Sequence, residues 1–326
     1  MKTVIAIRVI AILLYAALPA LAQPASSLYP SKPVKLIVPF PPGGAVDYYA
    51  RAVQPRLAEN LGQTILIENR AGAGGMVGAD AVAKSPPDGY TLLVGNIAAL
   101  AMNVGIYSKM TYDPVKDLTP IVRTVAVNYV MAVHPSVPAR SVAEFVAHAR
   151  ANPGKLSYGS AGSGSAPHLA TELLKQRAGI DVLHVPFKGG GPMVTDLLGG
   201  QIEMVIADQA NLMPHVKAGR LRALAVGTLE RSSAHPELPT IAEAGFPGFE
   251  ARAWQGIVGP AGMAPDIVKR LNTAFIRAMS APEVQQRLLD GGLDPIVGTP
   301  EAFGEFIRAE IAKWSKVAKD VGARVE

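Results

Sequence analysis

Two stretches of this chain carry residue types that could hold an anion. "VPFPPGGAVD", Val38 to Asp47, sets an apolar run, three prolines and two glycines in front of a helical pattern. "YGSAGSGSAPHLA", Tyr158 to Ala170, sets three glycines and three serines in the same relation to a second one. An apolar run entering a Gly-rich turn is how a buried parallel strand hands over to a helix, and the amides of such a turn attract negative charge. In the first stretch Pro41 and Pro42 fix φ and bring no N–H, while Gly43 and Gly44 permit φ > 0 and close approach to the backbone. Ala45, Val46 and Asp47 then open the helix. A carboxylate favours a helix N-terminus but repels a bound anion, so Asp47 is expected to accept hydrogen bonds from the loop and hold its shape. A tight strand-to-helix turn with a capping Asp is the plainer alternative for the whole stretch.

In the second stretch Ser160, Ser163 and Ser165 offer hydroxyls, and Gly162 and Gly164 offer amides, a composition that suits an oxyanion without metal or formal positive charge. A flexible surface loop would have the same composition. Duplication of context favours the ligand loop, because each half of the chain places one such loop after its first strand. His168 could donate to a ligand, or cap and pack in the first turn of its helix. Asp208, in "VIADQAN", could reach a cleft to meet an ammonium or a water, or cap the helix that follows. Lys188 with Gly189, Gly190 and Gly191 could lend an amine and amides to an anion, although a strand-end turn accounts for them better.

Other chemistries lack their residues. "NRAGAGGMVGADAVA" does not give G-x-G-x-x-G and follows the second strand pattern, so a close-packed helix start explains it. Ser163 has Ala161 and Ser165 where a nucleophile elbow needs glycines. The six histidines show no metal-ligand spacing. The chain is therefore expected to be no enzyme and to need no metal or cofactor.

The elements that must position these loops follow an alternating pattern. Strand patterns at Val34–Phe40, Thr64–Asn69 and Tyr90–Gly95 are separated by helical stretches near Asp47–Asn60 and Met76–Lys84, one β-α-β-α-β unit. Ile121–Pro135 is β-rich and long enough for two strands, or for one that crosses between lobes. Beyond it come a helix at Ser141–Ala151, strands at Leu156–Tyr158, Val182–Val185, Ile202–Ala207 and Leu221–Val226, and a helix at Ala166–Ala178. After a Pro-rich stretch, a strand at Trp254–Pro260 and helices at Pro265–Met279 and Pro300–Val321 suggest a return to the first lobe. The expectation is an α/β protein of two lobes, each a mainly parallel sheet flanked by helices: 23–126 with 251–326, and 127–250. Two chain crossings between them would make a hinge with a cleft beside it. "VPFKGGG" at Val185 echoes "VPFPPGG" at Val38, by lobe duplication or by chance.

The N-terminus reads as an export leader over 1–22. Lys2 and Arg8 flank its start, Val9–Leu18 is apolar, and Ala20-Leu21-Ala22 offers cleavage before Gln23. The apolar stretch is shorter than the ~20 residues a membrane span needs. There are no cysteines, which excludes disulfides, a thiol nucleophile and a lipid anchor. A formal net charge of +5, which falls when Lys2 and Arg8 leave, is too small and scattered to argue for nucleic acid and mildly suits a small anion.

Taken in order, "VPFPPGGAVD", "IENRAGAGGMVGADAVAKSPPDGYTLL", "YGSAGSGSAPHLATELL", "HVPFKGGGPMVTDLLGGQIEM", "GRLRALAV", "LPTIAEAGFPGFE" and "WQGIVGPAGMAPDIVKRLN" resemble one family over nearly the whole chain. It is that of the extracytoplasmic solute-binding proteins of tripartite tricarboxylate transporters, the Bug receptors. The resemblance implies a type II, flytrap-like periplasmic binding protein acting as a monomer. Its two Gly-rich loops and ordered waters would hold the carboxylate of a small organic acid or amino acid, and membrane subunits would transport it. By position the first loop is Pro41, Pro42, Gly43, Gly44, Ala45, Val46 and Asp47. The second comprises Ser160, Gly162, Ser163, Gly164, Ser165 and His168, and Asp208 is a specificity position. Many members have Thr or Ser where this chain has Val46, so either amides and water suffice there or the ligand turns an apolar face to Val46. A sensor acting on a membrane kinase would have the same sequence. An exported hydrolase is the third reading, and the missing elbow speaks against it.

Overall fold

The strand β1 (Val34–Val38) is apolar apart from Lys35, which is half-buried, and Val34, Leu36, Ile37 and Val38 are fully buried. It lies between β2 (Ile65–Asn69) and β3 (Thr91–Asn96), parallel to both. The structure, a computed structural model, describes residues 29–232, 235–320 and 322–323. The leader expected over 1–22 and the last residue of the helix expected over Pro300–Val321 lie outside them. β1 stops at Val38, two residues short of the apolar run, where Pro39 has no amide to extend the ladder. Helix α1 (Ala45–Leu61) carries the chain to β2, and α2 (Met76–Ala83) carries it to β3.

After β3 a π-helical turn (Ala98–Met102) runs into α3 (Asn103–Ile106), a pair the sequence pattern does not announce. Next comes the 16-residue strand β4 (Leu118–Val133), the single crossing strand of the two readings left open by the sequence. Up to Asn128 it pairs with the late strand β9 (Arg252–Pro260); from Tyr129 onward it pairs with β7 (Met204–Asp208) and, over Val130–Val133, with β8 (Arg222–Val226). The change of partner falls between Asn128, opposite Arg252, and Tyr129, opposite Asp208.

The second lobe repeats the parallel arrangement. Its helix α4 (Val142–Ala151) is capped by Ser141, whose hydroxyl accepts the Glu144 amide. β5 (Ser157–Ser160) pairs in parallel with β6 (Leu183–Pro186) and β7, while α5 (Ala166–Ala178), α6 (Gly190–Leu198) and α7 (Gln209–Lys217) flank them. The return to the first lobe is hydrogen-bonded to the outward crossing: the Gly227 amide donates to Tyr129 O, and Gly227 O accepts from the Ala251 amide. β9, α8 (Pro265–Met279), α9 (Pro282–Asp290), β10 (Leu293–Pro295) and α10 (Pro300–Asp320) complete the chain. The strand order is β2-β1-β3-β9-β4-β7-β5-β6, with β8 and β10 also paired to β4.

The molecule is thus a two-lobed α/β protein whose sheet bends at the middle of β4. One continuous core fills the first lobe and one face of the second. A separate core of Met193, Leu197, Val205 and Leu212 packs the other face of the second lobe. The carboxyl ends of β1 and β5, where open α/β sheets bind ligands, lie on the cleft side.

Candidate functional site

A cavity of about 920 Å³ lies between the lobes, large enough for a small-molecule ligand. Its wall takes Pro41–Val46 from the first lobe and Ala161–Pro167 from the second, so the two Gly-rich loops are brought to one space. Behind the first loop, Asp47 is 3% exposed and ties it down. Its carboxylate accepts the Gly43 amide at 3.0 Å, Arg51 Nε at 2.9 Å and Asn69 Nδ2 at 3.0 Å. Burial pushes this carboxyl up, but the bonds from Arg51, Gly43 and Asn69 outweigh it and hold it below the usual carboxylate range.

With the Gly43 amide taken and Pro41 and Pro42 lacking one, the amides of Gly44, Ala45 and Val46 have no protein partner among the described residues. They belong to residues that line the cavity at the start of α1, where the helix dipole adds to them. Only Gly43 uses the positive φ that both glycines permit; Gly44 sits at φ −83° and ψ 171°, extended backbone that any residue adopts. Val46 lines the cavity with its side chain almost fully buried.

The second loop divides into residues that face the cavity and residues that hold it. Gly162, Ser163, Gly164 and Ser165 are on the wall, but Ser160, fully buried, and His168 are not. The amides of Gly162 and Gly164, expected to be open, are occupied: Gly162 N–H donates to Ser160 Oγ at 3.2 Å, and Gly164 N–H to His168 Nδ1 at 3.1 Å. On the wall, the amides without a protein partner among the described residues are instead those of Ala161, Ser163 and Ala166. Ser165 Oγ is buried on the wall with no hydrogen-bond partner among the described residues. A buried hydroxyl left unpaired costs on the order of 1–3 kcal/mol, which a ligand oxygen or a water would recover.

Asp208 ends β7 at the N-cap position of α7, yet its side chain makes no capping bond. It lines the cavity, with Asn211 Nδ2 at 3.5 Å. Burial lifts its carboxyl to about 6. Lys188 is also on the wall, as are Gly189–Gly191, which the sequence reads as a strand-end turn and the structure makes the start of α6. The echo between "VPFKGGG" and "VPFPPGG" was the signal for this third helix start.

Sequence reasoning misses several wall residues. Asn96 and Ala98 enter because β3 also ends at the cleft, and Tyr129 and Gln255 enter because they lie on the two crossing strands. Gln255 is buried, and its side-chain oxygen has no partner among the described residues. No group of three metal-ligating side chains occurs among the described residues.

Comparison with known proteins follows this geometry. The sequence pattern of the tripartite tricarboxylate transporter family receptor matches residues 49–323. Protein BugT of Bordetella pertussis is 37% identical over 315 residues, 96% of this chain and 97% of its own. A solved R. palustris protein with adipate superposes with a TM-score of 0.85 at 39% identity, covering 91% of this chain and all of that one. MatC from Rhodopseudomonas palustris, with bound malate, gives 0.80 at 33% identity, covering 89% and 99%.

Proposed function

The chain belongs to the tripartite tricarboxylate transporter receptor family, and on that premise we propose that it captures a small organic acid or amino acid by its carboxylate. In this reading the chain is exported to the periplasm, loses its leader after Ala22 and works as a monomer. It delivers its ligand to the membrane subunits of a tripartite tricarboxylate-type transporter and carries out no chemistry on it. The lobes, 23–126 with 251–326 and 127–250, close on the ligand about the paired crossings near Tyr129 and Gly227.

One observation carries the reading: two helix starts from different lobes bring to the wall of the same cavity residues whose amides have no protein partner among the described residues, Gly44–Val46 on one side and Ala161, Ser163 and Ala166 on the other. Amides so placed suit an oxyanion better than an uncharged ligand. A hydrogen bond to a charged group contributes about 1.5–3 kcal/mol, so four or so offer roughly 6–12 kcal/mol, and the upper end of that range meets the ~8 kcal/mol of micromolar binding once an association cost of about 4 kcal/mol is deducted. The relatives solved with adipate and with malate support a carboxylate as the anion.

The test is a melting-temperature screen of ligand-stripped protein against a broad carboxylate panel that includes adipate, malate and the acidic amino acids. Mass spectrometry of whatever the freshly purified protein releases accompanies it. At least one carboxylate should raise the melting temperature in a dose-dependent way. No shift across the panel, with a non-carboxylate released from the protein, would overturn the reading.

A further inference from the structure

The second loop is held from behind by two imidazoles. His168, in the first turn of α5, accepts the Gly164 amide at Nδ1. His184, on β6, has Nε2 at 2.6 Å from Ser160 Oγ. The same Oγ bonds both the carbonyl of Gly162, at 3.0 Å, and its amide. The two imidazole rings stack, with centroids 4.1 Å apart and planes 21° from parallel. Tyr158 stacks on His184 at 4.9 Å, because Tyr158 and His184 are register partners on β5 and β6. Its hydroxyl donates to Glu172, which also takes Lys175. Neither imidazole is on the cavity wall, whereas the loop they bracket, Ala161 to Pro167, is.

Each nitrogen has a specific task. The Gly164 amide can donate to His168 Nδ1 only if that nitrogen carries a lone pair, so the ring is the neutral tautomer with its proton on Nε2. Burial holds both rings neutral, and for His184, helped by the neighbouring His168, the value falls to about 4. Gly164 is also where the loop meets the first lobe: a Cβ there would lie 3.2 Å from Ile106. A change in the Gly164 peptide would therefore shift both the ligand amides and the contact between lobes.

We infer that His168 and His184 are positioning residues for the carboxylate-binding loop, fixing through their ring nitrogens which amides turn to the cavity. The inference rests on the carboxylate reading of this cavity, but its test has an arm that does not. Replacement by Phe keeps a stacking ring and removes the hydrogen-bonding nitrogen. Asn at 168 and Gln at 184 restore a hydrogen-bonding atom near Nδ1 and Nε2 respectively.

The four variants are compared with wild type by NMR hydrogen exchange at the Gly162 and Gly164 amides, and by calorimetric titration with adipate and with malate. In folded His168→Phe the Gly164 amide should exchange about tenfold faster or more, and affinity for the probe that binds wild type should fall about tenfold. His168→Asn should return both to near wild type. His184→Phe and His184→Gln should repeat the pattern at Gly162, and they decide the matter if His168→Phe does not fold. Phe variants with wild-type exchange and affinity would overturn the inference. So would Asn and Gln variants as impaired as their Phe counterparts, since ring shape rather than nitrogen would then be what counts. If wild type binds neither probe, the exchange arm decides alone: unchanged Gly164 protection in His168→Phe overturns the inference, and faster exchange rescued by Asn upholds it.

Discussion

The amide of Gly43 donates to the carboxylate of Asp47 at 3.0 Å, so the acid in the ligand loop is spent on the loop itself. Because Asp47 does not line the cavity, its removal should act through geometry. Asp47→Ala leaves the Gly43 amide and the Asn69 side chain short of an acceptor, and should cost about 1–3 kcal/mol of stability. It should weaken ligand binding as well. The Asp47 carboxyl sits below its ordinary value of 3.8 in the folded protein, so its contribution is complete above that value. It is lost as pH falls through the lower folded-state value. Urea titrations of wild type and Asp47→Ala should therefore differ at pH 7 and converge in strong acid. Equal stabilities at pH 7 would contradict this account of the loop.

Asp208 has the opposite sign. Its carboxyl is raised to about 6, so the folded state holds the proton more tightly than the unfolded one. Its burial penalty is therefore absent below about 4 and complete above about 6. A protonated Asp208 can donate to an anionic ligand that an ionised one repels. For an organic acid, affinity should improve as pH falls from 8 to 5.5, and Asp208→Asn should bind more tightly than wild type at pH 8 and lose most of that dependence. Calorimetry at the two pH values checks it. Tighter wild-type binding at pH 8, abolished in Asp208→Asn, would mean that Asp208 meets an ammonium and the ligand is an amino acid.

Both tryptophans of the chain donate to one oxygen, Glu310 Oε2, Trp254 at 2.8 Å and Trp314 at 3.0 Å. Only Trp254 touches the cavity. Ligand should therefore change intrinsic fluorescence through Trp254: the response should vanish in Trp254→Phe and persist in Trp314→Phe. A response that survives Trp254→Phe would place the ligand elsewhere.

Much of the fold was legible because its signals are local. The run from Val34 to Val38 is apolar at every position but Lys35, as a largely buried strand requires, and α5 begins and ends where Ser165-Ala166-Pro167 and Gly179 say it should. α6 was hidden because it opens Gly-Gly-Pro, and α7 was read only as the helix following Asp208, without bounds, because Pro214 interrupts its pattern. In the site, the two Gly-rich loops and the task of Asp47 could be read from residue type and order. Which amides remain open could not. That depends on His168 lying four residues beyond Gly164 and on His184 lying across the sheet from Tyr158, a relation of register between strands. Gln255 and Tyr129 were invisible for the same reason, since they reach the wall only because β4 and β9 cross side by side.

The central claim is that backbone amides at the start of α1 hold the ligand's carboxylate, and Gly44 tests it with little disturbance of anything else. Its φ of −83° is open to alanine, and a Cβ there meets no atom within 4 Å. Gly44→Ala should thus keep wild-type stability to within about 0.5–1 kcal/mol. The new methyl would nevertheless stand on the cavity wall, where the proposed carboxylate would sit. Calorimetric titration of Gly44→Ala with the carboxylate that stabilises wild type should show affinity reduced about tenfold or more, roughly 1.4 kcal/mol, in a protein that melts near the wild-type temperature. Wild-type affinity in that variant would mean that the stiff loop is architecture and that the carboxylate is held elsewhere.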